Sequence, residues 1–270
     1  MKIKCPICNN ELKKIDGSYK CSSNHCFDIS RGGYVNLLTG SKSSDQTGDN
    51  PIMSRARHDF LSKGYYSHFA RGIAEAALPY AENKSEFCFI DAGCSDGYYT
   101  DEIMKTIPCS AQAVGVDLAK SAVKLASHRN SGIVFCVASV FALPVFDSSA
   151  DAVFSIFTPI AAAENRRVLH PDGVLIVCSP GKRHLWQLKS ALYDTPYDNP
   201  ESPHVPEGFC PVESGKISKK IDIATTQDIK NLFLMTPYAY KTSKTDAAKL
   251  DRLDGLTTET EFIVSVYKKQ

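Results

Sequence analysis

Asp91-Ala92-Gly93-Cys94-Ser95-Asp96-Gly97-Tyr98-Tyr99-Thr100 is the stretch on which the reading of the fold turns. It follows the apolar run 87–91 and leads into a helical pattern, so its glycines stand between a strand and a helix. Glycine lets the backbone approach a ligand closely, and the helix N-terminus beyond it offers free amides. Further apolar runs follow at 113–117, 133–138, 152–157 and 174–178, separated by helical patterns. Near-continuous apolar strands with intervening helices indicate a parallel sheet covered on both faces, an α/β Rossmann-like architecture. Ligands on such sheets sit beyond the carboxyl ends of the strands, where Asp91, Gly93 and Gly97 fall.

The next strand ends in Gly115-Val116-Asp117, which sets a carboxylate where a ribose hydroxyl would lie. The third ends in Val137-Ala138-Ser139, the fourth begins at Asp151, and Leu169-His170-Pro171-Asp172-Gly173 turns into the fifth. This order of features points to S-adenosylmethionine; NAD would call for a fuller G-x-G-x-x-G. Phe157-Thr158-Pro159 follows the fourth strand and should face the methyl acceptor, with Phe157 stacking and Thr158 hydrogen-bonding. No side chain stands out as proton acceptor, so the catalytic group stays unassigned. Runs at 217–223 and 261–267 flank a helical pattern at 226–235 and fit the terminal antiparallel hairpin of a class I methyltransferase. The 261–267 run reads as its inserted last strand.

The amino-terminal residues carry a different chemistry. Of ten cysteines, four lie within the first 26 residues. Cys5-Pro-Ile-Cys8 and Cys21-Ser-Ser-Asn-His25 form two knuckles around a polar hairpin, the spacing of a tetrahedral zinc site. His25 is preferred to its neighbour Cys26 as fourth ligand, because a three-residue gap is the commoner one. Four protein ligands leave no open position, so the metal is structural. The dispersed cysteines read as small buried hydrophobes. Residues 1–40 form a zinc ribbon, residues 41–50 a polar linker, and residues 51–270 the larger domain. Within it the helical pattern 53–77 is interrupted at Lys63-Gly64-Tyr65-Tyr66.

With 31 basic and 30 acidic side chains the net charge is +1, which excludes a uniformly basic nucleic-acid coat. Residues 1–60 hold nine Lys and Arg against six Asp and Glu, mildly favourable for touching phosphates. No apolar run approaches the ~18 residues needed to cross a bilayer, and the Met-Lys-Ile-Lys-Cys-Pro start lacks a secretory apolar stretch. A cytoplasmic protein without membrane contact is expected.

Taken along its length, the chain resembles the RlmA/TlrB family of large-subunit ribosomal RNA guanine-N1 methyltransferases. The resemblance runs through the Cys5/Cys8/Cys21/His25 ribbon, Gly33-Tyr34-Val35-Asn36-Leu37-Leu38, Gly48-Asp49, Ala56-Arg57, Gly64-Tyr65-Tyr66, the 91–100 turn, Pro180-Gly181-Lys182-Arg183-His184-Leu185 and Met235-Thr236-Pro237. It implies that the ribbon recognises RNA, that Tyr66, Tyr99, Thr100 and His184 hold the cofactor, and that the chain forms a homodimer. Guanine N1 is inaccessible in paired RNA, so a hairpin loop is the expected substrate. One departure stands out: Ser95 occupies a position where the family has glycine. Two other readings remain open: a methyltransferase acting on a protein or small molecule, and a non-enzymatic zinc and RNA binder whose cofactor loop is vestigial.

Overall fold

The computed structural model describes residues 1–39, 48–130, 132–200 and 205–270. Most of the expected 41–50 linker therefore lies outside the described residues. The ribbon is a four-stranded antiparallel sheet: β1 (Ile3–Lys4), β2 (Glu11–Ile15), β3 (Ser18–Lys20) and β4 (Cys26–Asp28). Asp16 and Gly17 make the hairpin turn between β2 and β3, both with positive φ.

The strand β5 (Val35–Asn36) leads to helix α1 (Pro51–Ser62) across the undescribed stretch. Asn50 caps α1 by accepting from the Met53 amide at 3.0 Å, and Pro51 sits in the first turn, where its missing N–H is harmless. The expected interruption at 63–66 is present. Gly64 turns at φ 79°, and α2 (Ser67–Ala81) begins directly after Tyr66. Alternation then proceeds through β6 (Glu86–Ala92), α3 (Tyr98–Thr106), β7 (Ser110–Asp117), α4 (Lys120–Ala126), β8 (Ile133–Val137), β9 (Ala150–Ile156), α5 (Ala162–Val168) and β10 (Leu169–Pro180). The remainder holds α6 (Trp186–Leu192), β11 (Phe209–Ile223), α7 (Thr226–Leu234), α8 (Tyr238–Lys241), α9 (Lys244–Ala247) and β12 (Leu256–Lys269).

The main sheet runs β11-β12-β10-β9-β6-β7-β8-β5. Strands β5 through β10 pair in parallel, whereas β12 is inserted antiparallel between β10 and β11. This is the expected class I order, with 261–267 inside the inserted strand. The 217–223 run is only the final part of β11. Most of the rest of that strand is exposed, so its polar residues gave no apolar signal.

Side chains alternate across the parallel strands and fill two cores. Phe87, Phe89, Phe135 and Phe154 face α1, α2 and α3, while Ile90, Val114, Val116 and Val153 face the other way. That second face is shared with the ribbon: Ile3, Cys5, Leu12 and Cys21 belong to the same buried cluster as Val116 and Val145. Ile3 bridges to Val145, and the Lys4 amide donates to the Pro144 carbonyl at 2.7 Å. Val35 and Asn36 register on Cys136 and Val137, so residues from the expected 1–40 unit complete the main sheet. The ribbon is thus built into the larger domain, because a two-faced parallel sheet needs cover on both sides. Among the described residues, no helix is long and apolar enough to cross a membrane.

A chain beginning at Pro51 would expose the second face and remove the edge strand. Losing the burial of Ile3, Leu12, Val35 and Leu37, each worth ~1.5–3 kcal/mol, should lower the melting temperature by roughly 10 °C or more in calorimetry. An unchanged transition would show that the ribbon contributes nothing to the larger core.

Candidate active site and metal centre

The two knuckles place Cys5, Cys8, Cys21 and His25 so that their ligand atoms all lie within 4.8 Å of one another. Cys5 Sγ is 3.5 Å from His25 Nδ1, and Cys8 Sγ is 3.5 Å from Cys21 Sγ. Those separations approach the ~3.8 Å edge of a tetrahedron with Zn–S bonds of ~2.3 Å. Three soft thiolates and an imidazole are a zinc donor set. Cys26 begins β4 as an exposed residue outside the cluster, in keeping with the preference for His25.

At the carboxyl end of β6 the chain turns at Gly93 (φ 95°) and Gly97 (φ 72°). A Cβ on Gly93 would collide with the Thr158 side chain, and one on Gly97 would stand 2.9 Å from the Ala126 Cβ. Glycine is required at both by backbone conformation and by close packing. Ser95 also lies in the left-handed region, at φ 47°, which supplies a physical reason for glycine at this position. Its amide nevertheless donates to Asp117 Oδ2 at 2.9 Å, so the serine-bearing loop is held in shape.

Asp117 Oδ1 accepts from the Ala119 amide at 2.8 Å, so both oxygens of this carboxylate fasten backbone, and Asp117 lines neither of the cavities described below. Asp96 is the loop's other fastening, one the sequence did not reveal. It is buried against Arg129 and accepts from His58 Nδ1 at 3.0 Å. Burial pushes its carboxyl up, but the hydrogen bond from His58 and the Arg129 charge outweigh that and hold it below the usual range. Thr100 donates its hydroxyl to Asp91 Oδ2 at 2.5 Å; both are buried beneath the turn and line neither of the cavities described below. Burial pushes the Asp91 carboxyl up to about 7, partly countered by Thr100.

Above the turn lies a cavity of about 700 Å³. Tyr66, Tyr99, His184, Phe157 and Thr158 all line it, so the structure brings together five of the expected site residues. The phenolic oxygens of Tyr66 and Tyr99 are buried without hydrogen-bond partners among the described residues. Arg57 lines the same wall with its Nε also buried and unpaired, while its Nη2 donates to Asp49 at 2.6 Å. The sequence placed Asp49 and Arg57 inside the resembling segments without giving them roles; only the fold turns α1 toward the cavity. His184 is buried, and its Nδ1 accepts from the Glu261 amide at 3.2 Å. Burial pulls its pKa down to about 3, so the imidazole is a neutral hydrogen-bonding group and no base.

A second cavity of about 900 Å³ opens beyond Asp117, lined by Asn36, Leu38, Leu118, Ala119, Val137 and Ser139 among others. Asp49 lines both cavities. The ribbon's trailing residues therefore form one wall of the site.

The family model for the RlmA N-terminal zinc ribbon matches residues 3–44, and a methyltransferase-domain model matches residues 90–177. The 23S rRNA (guanine(748)-N(1))-methyltransferase of Streptomyces fradiae is 31% identical over 191 residues, spanning 70% of this chain and 67% of its own. A Micromonospora griseorubida protein named for 23S rRNA guanine-N1 methylation is 31% identical over 208 residues, spanning 70% and 69%. YxjB of Bacillus subtilis, named for the same reaction, is 27% identical over 274 residues, spanning 97% and 96%. With this strand order and glycine turn, the protein is a class I S-adenosylmethionine-dependent methyltransferase carrying a zinc ribbon. More narrowly, the chain belongs to the family of 23S rRNA (guanine-N1)-methyltransferases.

Purified protein should contain about one zinc per chain by elemental analysis, and material without zinc would remove the metal assignment. Asp91 gives a pH signature. Its folded pKa is raised to about 7, so the stabilisation it brings is full below the unfolded value of ~3.9 and is lost as pH rises through about 7. Asp91→Asn can still accept from Thr100 and does not ionise. Its melting temperature relative to the parent should climb between pH 4 and 7 and level off above, and a flat difference would contradict a buried, proton-bearing Asp91.

Proposed function

We propose that the protein transfers a methyl group from S-adenosylmethionine to N1 of a guanine in a hairpin loop of large-subunit ribosomal RNA. The observation that carries the cofactor half is the set of three buried donors without partners among the described residues, Tyr66 Oη, Tyr99 Oη and Arg57 Nε, on one cavity beside the glycine turn. Leaving such groups unpaired costs ~1–3 kcal/mol each, so the site is built for a ligand that accepts hydrogen bonds there. The α-carboxylate of a methionine moiety fits a guanidinium and two phenols, and the Asp49 carboxylate beside Arg57 matches the ammonium of the same amino-acid end. Leu118, Ser139 and the ribbon's Leu38, which line the second cavity beyond Asp117, would hold the adenosine half.

S-adenosylmethionine supplies an electrophilic methyl group on a sulfonium, a leaving group that needs no activation. The chain's own task is positioning, which by itself can supply ~7–11 kcal/mol of a barrier. Gly93, packed under Thr158, holds the turn low enough for close approach; His184, neutral throughout the physiological range, orients without competing for a proton. The relatives' names support guanine N1 as the acceptor, and the ribbon supports RNA recognition. The setting is the cytoplasm, and a homodimer is the assembly that the family resemblance implies.

Mass mapping of 23S ribosomal RNA after incubation with protein and S-adenosylmethionine should show one added methyl on a single guanine, blocking Watson–Crick pairing. Methyl appearing on protein or small-molecule fractions alone would sink the reading. Arg57→Met should weaken S-adenosylmethionine binding roughly 10- to 100-fold in calorimetry, the loss of a charge-assisted pair, while decarboxylated S-adenosylmethionine should bind both proteins alike. Equal losses for the two ligands would remove Arg57 from the carboxylate.

A further inference from the structure

Four aromatic side chains are exposed among the described residues: Phe141 (64%), Phe157 (40%), Tyr197 (48%) and Tyr240 (67%). Three of them, Phe157, Tyr197 and Tyr240, line the same 700 Å³ cavity. They come from separate parts of the chain: the end of β9, the segment after α6, and α8. Solvated apolar rings gathered at one opening are unfavourable unless something covers them.

Each ring is also held in place. Phe157 adopts φ 56°, a left-handed backbone that is rare for a bulky residue, with its ring 5.6 Å from Phe69 and 5.9 Å from Phe262 between centroids. Tyr197 rests on a fully buried lysine. Lys189 Nζ donates to the Tyr197 carbonyl at 2.8 Å and to Asn199 Oδ1 at 2.6 Å, and lies 4.7 Å from the Tyr197 ring centroid. A buried ammonium is expensive unless saturated in this way, so the 197–199 segment is fixed from beneath. Tyr193 and Thr242 hydrogen-bond through their hydroxyls at 2.6 Å, tying that segment to the end of α8. Tyr240 donates its hydroxyl to Met53 Sδ at 2.8 Å, which anchors it to α1.

We infer that Phe157, Tyr197 and Tyr240 form a stacking rim that receives an unpaired purine base of RNA at the mouth of the cofactor cavity. Extruded bases are held by stacking on aromatic faces, which any purine offers and which requires rings that are exposed yet immobile. Lys241, also on the cavity wall, places a cation beside the rim for a flanking phosphate. Lys189 is a positioning residue: it touches no substrate and acts by holding Tyr197. The inference rests on the ribosomal RNA reading above and adds to it the residues that select an unstacked base.

The test uses the full-length, zinc-loaded protein and variants checked for unchanged melting. Tyr197→Ala and Tyr240→Ala should each raise KM for 23S ribosomal RNA roughly 5- to 30-fold, with Tyr197→Phe, whose ring is held through its backbone and Lys189, within about twofold of the parent. Affinity for S-adenosylmethionine should not change. A single-stranded RNA with 2-aminopurine in a flexible loop should lose fluorescence on binding the parent protein and lose less on binding either alanine variant. Alanine variants with parental KM and parental quenching would overturn the rim. A loss as large in Tyr197→Phe would also overturn it, by assigning the effect to the hydroxyl. A parent protein that quenches but methylates no ribosomal RNA would leave the rim standing and sink the ribosomal reading instead.

Discussion

A parallel sheet built from near-continuous apolar strands has two faces to keep from water, and this chain meets that requirement unequally. Helices α1, α2 and α3 cover one face with aromatic packing around Phe60, Phe69 and Phe89. Much of the other face is covered by the zinc ribbon, through Ile3, Leu12 and the cysteine-bearing knuckles. So short a segment cannot bury enough apolar surface to hold its shape alone, and metal coordination supplies what packing cannot. The zinc site is therefore coupled to the catalytic sheet although it lies outside the reaction. The polypeptide between them, Val35 and Asn36, closes the sheet edge and carries on into the wall of the second cavity.

The cofactor turn illustrates how tightly such a site is specified. Gly93 admits Thr158 above it, Gly97 admits Ala126 beside it, and the amides of Ser95 and Ala119 converge on Asp117. Asp96 reaches across to His58 and Arg129, so the turn is anchored both to α1 and to the loop after α4. Serine at position 95 bears the strain of a left-handed backbone without breaking this network. That argues against a vestigial loop, since the fastening bonds come from backbone amides, which serine supplies as glycine would.

Electrostatics divide the cavity by role. Tyr66 and Tyr99 are kept fully protonated by burial, His184 is kept neutral by burial, and the Asp49–Arg57 ion pair stands beside them while Lys241 lines the wall near the rim. A site with hydrogen-bond donors set around a compensated ion pair suits a zwitterion better than a simple anion. His184 is no base here, and the electrophile of methyl transfer is already activated, so the barrier is lowered chiefly by alignment.

The residue sequence by itself determined the strand-turn-helix signature, the succession of strands and helices along the chain and the Cys5/Cys8/Cys21/His25 knuckles. Each is a short-range pattern in which spacing dictates geometry. It also located the inserted final strand, because 261–267 is apolar enough to lie between two neighbours. It could not show β11 in full, whose polar residues form an exposed edge strand, nor the roles of Asp49, Arg57 and Asp96, which depend on helix α1 turning toward the carboxyl edge of the sheet. Tertiary structure alone decided that the ribbon is part of the catalytic core and that Thr100 faces inward to Asp91. It alone gathered Phe157, Tyr197 and Tyr240 at one opening. The first and last of those facts depend on contacts between residues tens to more than a hundred positions apart, and the second on how the turn folds back, which no local periodicity encodes.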